Sequence, residues 1–138
     1  MAKLTIRKFT SPDQRRPFAD KGHVDVVELE IGTAGRAVFE PGWKWSTHVK
    51  PLAGTRSCQA AHSGYVVSGR MRVVMDDGQE ADMEAGDCYY IPPGHDGWTL
   101  GNEACVCLDF TGMEDYARPA AERRAGQDAG EQQPPAMH

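Results

Sequence analysis

Over residues 58–78 the chain reads CQAAHSGYVVSGRMRVVMDDG. Two runs rich in β-branched and aromatic residues, YVV and RMRVVM, are separated by Ser-Gly, and the second ends at Asp-Asp-Gly. Asp-Gly supplies the positive φ angles of a two-residue hairpin turn, so MDDGQ (75–79) is expected to reverse the chain between antiparallel strands. The same pattern of short β-rich runs broken by Gly, Pro and Asp extends outward. It continues through HVDVVELEIG (23–32), GRAVFEPG (35–42), GDCYYIPPG (86–94) and GWTLGNEACVCLDF (97–110). No helical period is sustained in this stretch, so the sequence predicts an all-β fold, a sandwich or barrel.

The flanks read differently. Residues 1–21 are expected to form an N-terminal arm with one strand, KLTIRKF (3–9), followed by a Pro/Arg-rich loop; the barrel is expected over 22–112. Residues 113–138 read as a tail, a short helix and then a stretch with too little apolar content to offset the entropy of ordering it. A length of 138 residues suits one domain. With 15 Lys and Arg against 20 Asp and Glu, the chain lacks the basic face that nucleic acid demands. No run approaches the roughly 20 apolar residues of a membrane span, and the polar start has no leader core, so the expected location is cytoplasmic. There Cys58, Cys88, Cys105 and Cys107 should be thiols. Cys105 and Cys107 share one face of a strand as small buried hydrophobes, and Cys88 also reads as inert in an apolar strand.

The spacing of several residues resembles the cupin superfamily, small jelly-roll barrels (a double-stranded β-helix) whose pattern is G-x5-H-x-H-x3,4-E-x6-G followed by G-x5-P-x-G-x2-H-x3-N. Gly86, Pro92 and Gly94 fit the front of the second motif. Gly42 and His48 fit the opening of the first; His62 and Gly69 fit its close. The resemblance spans about residues 35–110, and the middle of the first motif departs from the pattern. In a metal-binding cupin the position six before that glycine is the glutamate ligand, and here it is His62. Counting back by the motif puts Cys58 and Arg56 where two histidine ligands belong. All three are even-numbered, so a strand would project them to one face, which the resemblance makes the barrel interior. Imidazole and thiolate suit late first-row metals; Arg56 cannot ligate, but its fork of donors could clamp an anionic group.

The other anchoring, at Gly42, makes His48 a ligand entering from the preceding strand, with VKPLAGTR (49–56) as an inserted loop. The bland alternative is a half-buried strand histidine. The second motif's histidine should fall at Gly97, yet the histidine is His95; it reads as a ligand or as a mouth-lining acid/base residue. Trp43, Trp45, Tyr90 and Trp98 are candidates for the substrate pocket, packing being the alternative for the tryptophans, and either Tyr89 or Tyr90 should reach the cavity. Asp109 and Glu40 suit acid/base work only if buried near the site.

The resemblance thus implies a metal-dependent small-molecule enzyme with one divalent ion, Zn or Fe, held by His48, Cys58, His62 and His95, with His95 and Arg56 as catalytic candidates. Such a site would serve an oxygenase or a non-redox lyase or isomerase. A non-catalytic ligand- or metal-sensing module, and a metal-free cupin using histidine as acid/base, stay open beside it. The expected partners are a small molecule and, through an edge strand, a second copy in a homodimer. From composition alone, truncation after Met113 should leave the barrel folded. The expected result is an unchanged melting temperature; a loss of several degrees, or an insoluble product, would show that the tail packs on the core.

Overall fold

The computed structural model describes residues 3–30 and 32–110, and within them the chain is β-rich and antiparallel throughout. The tail after 110 lies outside the described residues. The strands are β1 (Gln14–Pro17), β2 (Gly22–Leu29), β3 (Gly32–Phe39), β4 (His62–Ser68), β5 (Arg70–Met75), β6 (Glu80–Glu84), β7 (Cys88–Ile91), β8 (His95–Leu100) and β9 (Cys105–Asp109). Two single-turn helices, α1 (Trp45–His48) and α2 (Lys50–Ala53), lie between β3 and β4. One sheet has the order β1-β2-β3-β9-β4-β7 and the other β6-β5-β8. This is the all-β fold that the sequence pattern predicts, in the two-sheet jelly-roll form that the resemblance implies.

The chain changes sheet at tight corners, and two of these show why glycine is needed. Gly69, between β4 and β5, has φ 80°, and a side chain there would overlap the carbonyl of Ala104. Gly94 ends Pro92-Pro93-Gly94, between β7 and β8, with φ 90°. The hairpin at Asp76–Gly78 differs from the expected two-residue turn. Of its residues only Gly78 has positive φ (96°). Gly78 N–H donates to Met75 O (2.9 Å) and Met75 N–H to Gln79 O (2.7 Å). It is therefore a three-residue loop, with Gly78 in the left-handed position that follows a type I turn.

Between the sheets lies the core. Phe18 stacks on Phe39 (centroids 5.5 Å apart, planes 6° apart), and Trp43 packs tilted against both, at 5.6 and 4.3 Å. Val24, Val26, Ala37, Val66, Cys105 and Cys107 fill the space around this cluster, and Cys58 belongs to the same core. Cys105 and Cys107 are buried as expected, with sulfurs 3.8 Å apart; Cys88, by contrast, is exposed. The arm's strand is β1, not KLTIRKF: that segment is irregular, and Leu4 and Ile6 are solvent-exposed. No helix of the described residues is long and apolar enough to cross a membrane.

Truncating the central aromatic tests this core. Trp43→Ala leaves a void beside the stacked Phe18 and Phe39 and should cost about 3–5 kcal/mol of unfolding free energy in a urea titration. A loss below about 1 kcal/mol would mean that the cluster does not hold the sheets together.

Candidate metal centre and inner cavity

The site begins with a backbone clamp. Cys58 precedes β4 and pairs as an isolated bridge with His95 at the start of β8. Its N–H donates to His95 O (2.7 Å), while its own carbonyl accepts from Gly94 N–H (2.7 Å) and His95 N–H (3.2 Å). This ties a loop to the other sheet and sets the Cys58 side chain beside His95. Four residues on, His62 opens β4 as a buried residue. The Sγ of Cys58 lies 3.6 Å from His62 Nε2, and the donor atoms of Cys58, His62 and His95 all lie within 4.8 Å of one another, fully buried. The His62 and His95 rings meet edge to face at 5.5 Å.

Each imidazole is oriented from behind. His95 Nδ1 lies 2.8 Å from the Pro92 carbonyl; a carbonyl only accepts, so Nδ1 carries the proton and Nε2 presents a lone pair. His62 Nδ1 approaches Asp109 Oδ2 at 3.1 Å, a contact that favours a proton on Nδ1. Asp109 in turn accepts a short hydrogen bond from the Tyr89 hydroxyl. Gly64 makes that bond possible. It faces Tyr89 on β7 and Asp109 on β9 across the two ladders, and a Cβ there would lie 2.8 Å from both the Tyr89 oxygen and Asp109 Oδ1.

The charges follow from this layout. Burial pulls the His62 imidazolium down, but the Asp109 charge, assisted by Cys58, outweighs it and raises the pKa to about 10. A unit charge at this range is worth roughly 5 kcal/mol at an effective dielectric of 20, enough to decide the sign. Burial pushes the Cys58 thiol up, yet hydrogen bonds from His62 and His95 bring it down to about 6. Burial raises the Tyr89 hydroxyl well above its ordinary value, and the Asp109 charge adds to this, so Tyr89 stays protonated.

His62, His95, Tyr89 and Asp109 line a cavity of about 40 Å³ together with Phe39, Trp43 and Trp45. That volume holds a few water-sized molecules and no more.

The donor set fits a metal ion. Tetrahedral zinc with a sulfur at about 2.3 Å and a nitrogen at about 2.0 Å separates those ligand atoms by about 3.5 Å, close to the 3.6 Å between Cys58 and His62. Both imidazoles also have the carboxylate or carbonyl behind them that metal-ligating histidines favour.

The structure corrects several expectations. His48 is not in the cluster: it sits on α1, where its Nδ1 accepts from Lys44 N–H (3.0 Å). The stretch expected to be a strand turns helical because Lys44 accepts from the N–H groups of Thr47 and His48. Arg56 is exposed, because the chain before His62 is a loop and strand parity does not extend through it. Trp43 and Trp45 line the cavity, but Trp98 does not. On β8 the buried positions are His95, Gly97 and Thr99, which turns Trp98 outward under the Lys44 ammonium, 4.9 Å from its ring centre. Tyr90 is 66% exposed; its neighbour Tyr89 faces in. Glu40 is exposed, whereas Asp109 is buried in the site. Gly64 was missed, though a glycine inside a β-branched run is itself a signal of close approach.

Comparison with known proteins places this fold. Residues 56–111 match the family model of the cupin domain, Cupin_2. A structure of unknown function from Rhizobium leguminosarum bv. viciae 3841 superposes with a TM-score of 0.53 at 20% identity, over 80% of this chain and 95% of that one. The polyketide cyclase RemF of Streptomyces resistomycificus gives 0.53 at 18% identity over 78% of each chain. An oxalate decarboxylase–formate complex from Lactobacillus farciminis gives 0.52 at 13% identity over 82% of this chain and 35% of that one. No curated protein matches in sequence. The match to a small cupin domain spans residues 56–111.

The role of Asp109 can be read by NMR on metal-free protein. In Asp109→Asn the His62 imidazolium should titrate well below its wild-type value of about 10, towards the ordinary 6.5. An unchanged midpoint would show that Asp109 does not hold that proton.

Proposed function

We propose that this cupin domain is a metal-dependent enzyme for a small molecule, with Cys58, His62 and His95 holding one zinc or iron ion inside the barrel. One observation carries this reading: a thiolate and two imidazoles converge, with the far nitrogen of each ring already met by Asp109 or the Pro92 carbonyl. Three protein ligands are the number that leaves a position open for chemistry. When bound, the ion supplies Lewis-acid polarisation or an activated water. The remaining roles belong to the chain. Asp109 and the Pro92 carbonyl hold protons on the two Nδ1 atoms and so aim both Nε2 atoms at the site. Phe39, Trp43 and Trp45 keep bulk water out. Tyr89 holds Asp109 in place and keeps a hydroxyl proton in the cavity. His48 and Arg56 have no part in this reading.

A second reading rests on the order Cys58, His62, Asp109, which is that of nucleophile, base and orienting carboxylate. It needs no metal, and it makes His62 the acid/base residue.

Metal analysis of protein purified without a nickel column separates the two. Under the metal reading, wild type holds about one equivalent of zinc or iron, and His62→Ala loses it while circular dichroism stays β-rich. With Cys58 near 6 and His62 near 10, the pair holds one proton between those values. Zinc must displace that proton to reach both donors, so uptake at pH 7 should release at least one proton per ion, and affinity should strengthen as pH rises from about 6 towards 10. Zinc content unchanged in His62→Ala, or uptake with no proton released, would leave the metal-free relay.

A further inference from the structure

Where the edge strands β6 and β7 border the barrel, a groove of about 390 Å³ opens outside the inner cavity. That volume is in the usual range for small-molecule sites, about 300–1,000 Å³, whereas the 40 Å³ inner cavity admits only a reacting end. The two spaces share Val73, Met83, Tyr89 and Ile91 as a common wall, so the groove lies directly against the inner cavity.

The groove is acidic and aromatic. Its lining includes the carboxylates of Glu80, Asp82 and Asp87 and no Lys, Arg or His. Asp82 is neutralised by a two-pronged pair with Arg72, at 2.7 and 3.0 Å. Glu80 and Asp87 make no ion pair among the described residues. Asp87 is fixed in place by accepting from Glu84 N–H (2.8 Å). Tyr89 and Tyr90 stand on the β7 side, Tyr90 largely open to solvent. The Arg72 charge also reaches Glu80, but the lining itself carries three carboxylates and no cation. Carboxylates beside tyrosines are the chemistry that recognises an ammonium ion, while an anion would meet repulsion.

We propose that this groove binds the body of the substrate, and that the substrate class is an organic ammonium ion with an apolar or aromatic skeleton. Calling the occupant a substrate rests on the enzyme reading; the binding preference does not. Recognition by charge and ring face leaves the far end of the molecule to reach the shared wall.

The test uses the full chain in two states, chelator-treated and zinc-loaded, titrated with phenethylammonium, 2-phenylethanol and 3-phenylpropionate, three probes that share a phenethyl skeleton and end in a cationic, a neutral and an anionic group. Amide shifts report where each binds, and alkylation of the exposed Cys88, which lines the groove, reports occupancy. The ammonium should bind saturably, shift residues of β6 and β7, slow Cys88 alkylation, and exceed the carboxylate in affinity at least tenfold at low salt, a margin that shrinks as salt is added. The double variant Glu80→Gln, Asp87→Asn should bring the two charged probes within about threefold and leave the alcohol unchanged. Equal or tighter binding of the carboxylate, shifts that map elsewhere, or no saturable binding of the ammonium overturns the proposal. The preference should hold in both metal states. Charge preference without zinc uptake therefore sinks only the metal reading, and zinc uptake without charge preference sinks only this one.

Discussion

The three backbone hydrogen bonds between Cys58 and Gly94–His95 are the constraint on which the site depends. Without them the segment from Gly54 to Ala61 has no strand to join, and Cys58 would have no reason to lie beside residues 37 positions away. With them, a loop carries a sulfur into the core and fixes it against an imidazole of the opposite sheet. The enclosure is also what gives these groups their chemistry. In water a thiol and two imidazoles interact weakly, whereas in a dry, packed interior each charge must find its partner among its neighbours.

Charge balance in that interior favours a cation. The Cys58 thiolate and the Asp109 carboxylate contribute two negative charges, and an imidazolium at His62 supplies one positive. A divalent ion with neutral imidazoles would close the balance, and it would place its charge where Sγ and the two Nε2 atoms converge. Buried charge that is unmatched is costly, so the raised His62 proton affinity and the geometry of the three donors express one demand. A metal ion bound there would compete with that proton for the same atoms.

Much of this was legible in the sequence, and the limits have physical causes. The fold followed from punctuation: Gly69 and Pro92-Pro93-Gly94 sit at sheet corners where a side chain or an ordinary φ would not fit. Cys58, His62 and His95 are implied by the resemblance to the cupin motifs, and the structure brings those three together. Arg56 was misplaced because period-2 parity holds only within a strand, and the strand starts at His62. His48 was misplaced because WSTH closes a single helical turn on the Lys44 carbonyl, a local choice that β-rich surroundings hide. Tyr90 was preferred over Tyr89 although the register pairs His62 with Ile91 and so puts the odd positions of β7 on the site's face. The buried role of Asp109 depends on a cross-strand neighbour, Gly64, distant in sequence, and no motif encodes such a pairing.

The two volumes then define how the site divides its labour. A 40 Å³ cavity bounded by His62, His95 and Asp109 has room for a few water-sized molecules, while the 390 Å³ groove has no metal-ligating cluster of its own among the described residues. Tyr89 belongs to both: its side chain lines the groove, and its hydroxyl is bonded to Asp109 within the cavity. A molecule seated in the groove therefore lies against the residue that steadies Asp109, and Asp109 is the charge that sets the proton affinity of His62. The wall between the outer space and the inner one is thus tied to Asp109 by one hydrogen bond, and Gly64 is a residue whose missing side chain leaves room for it.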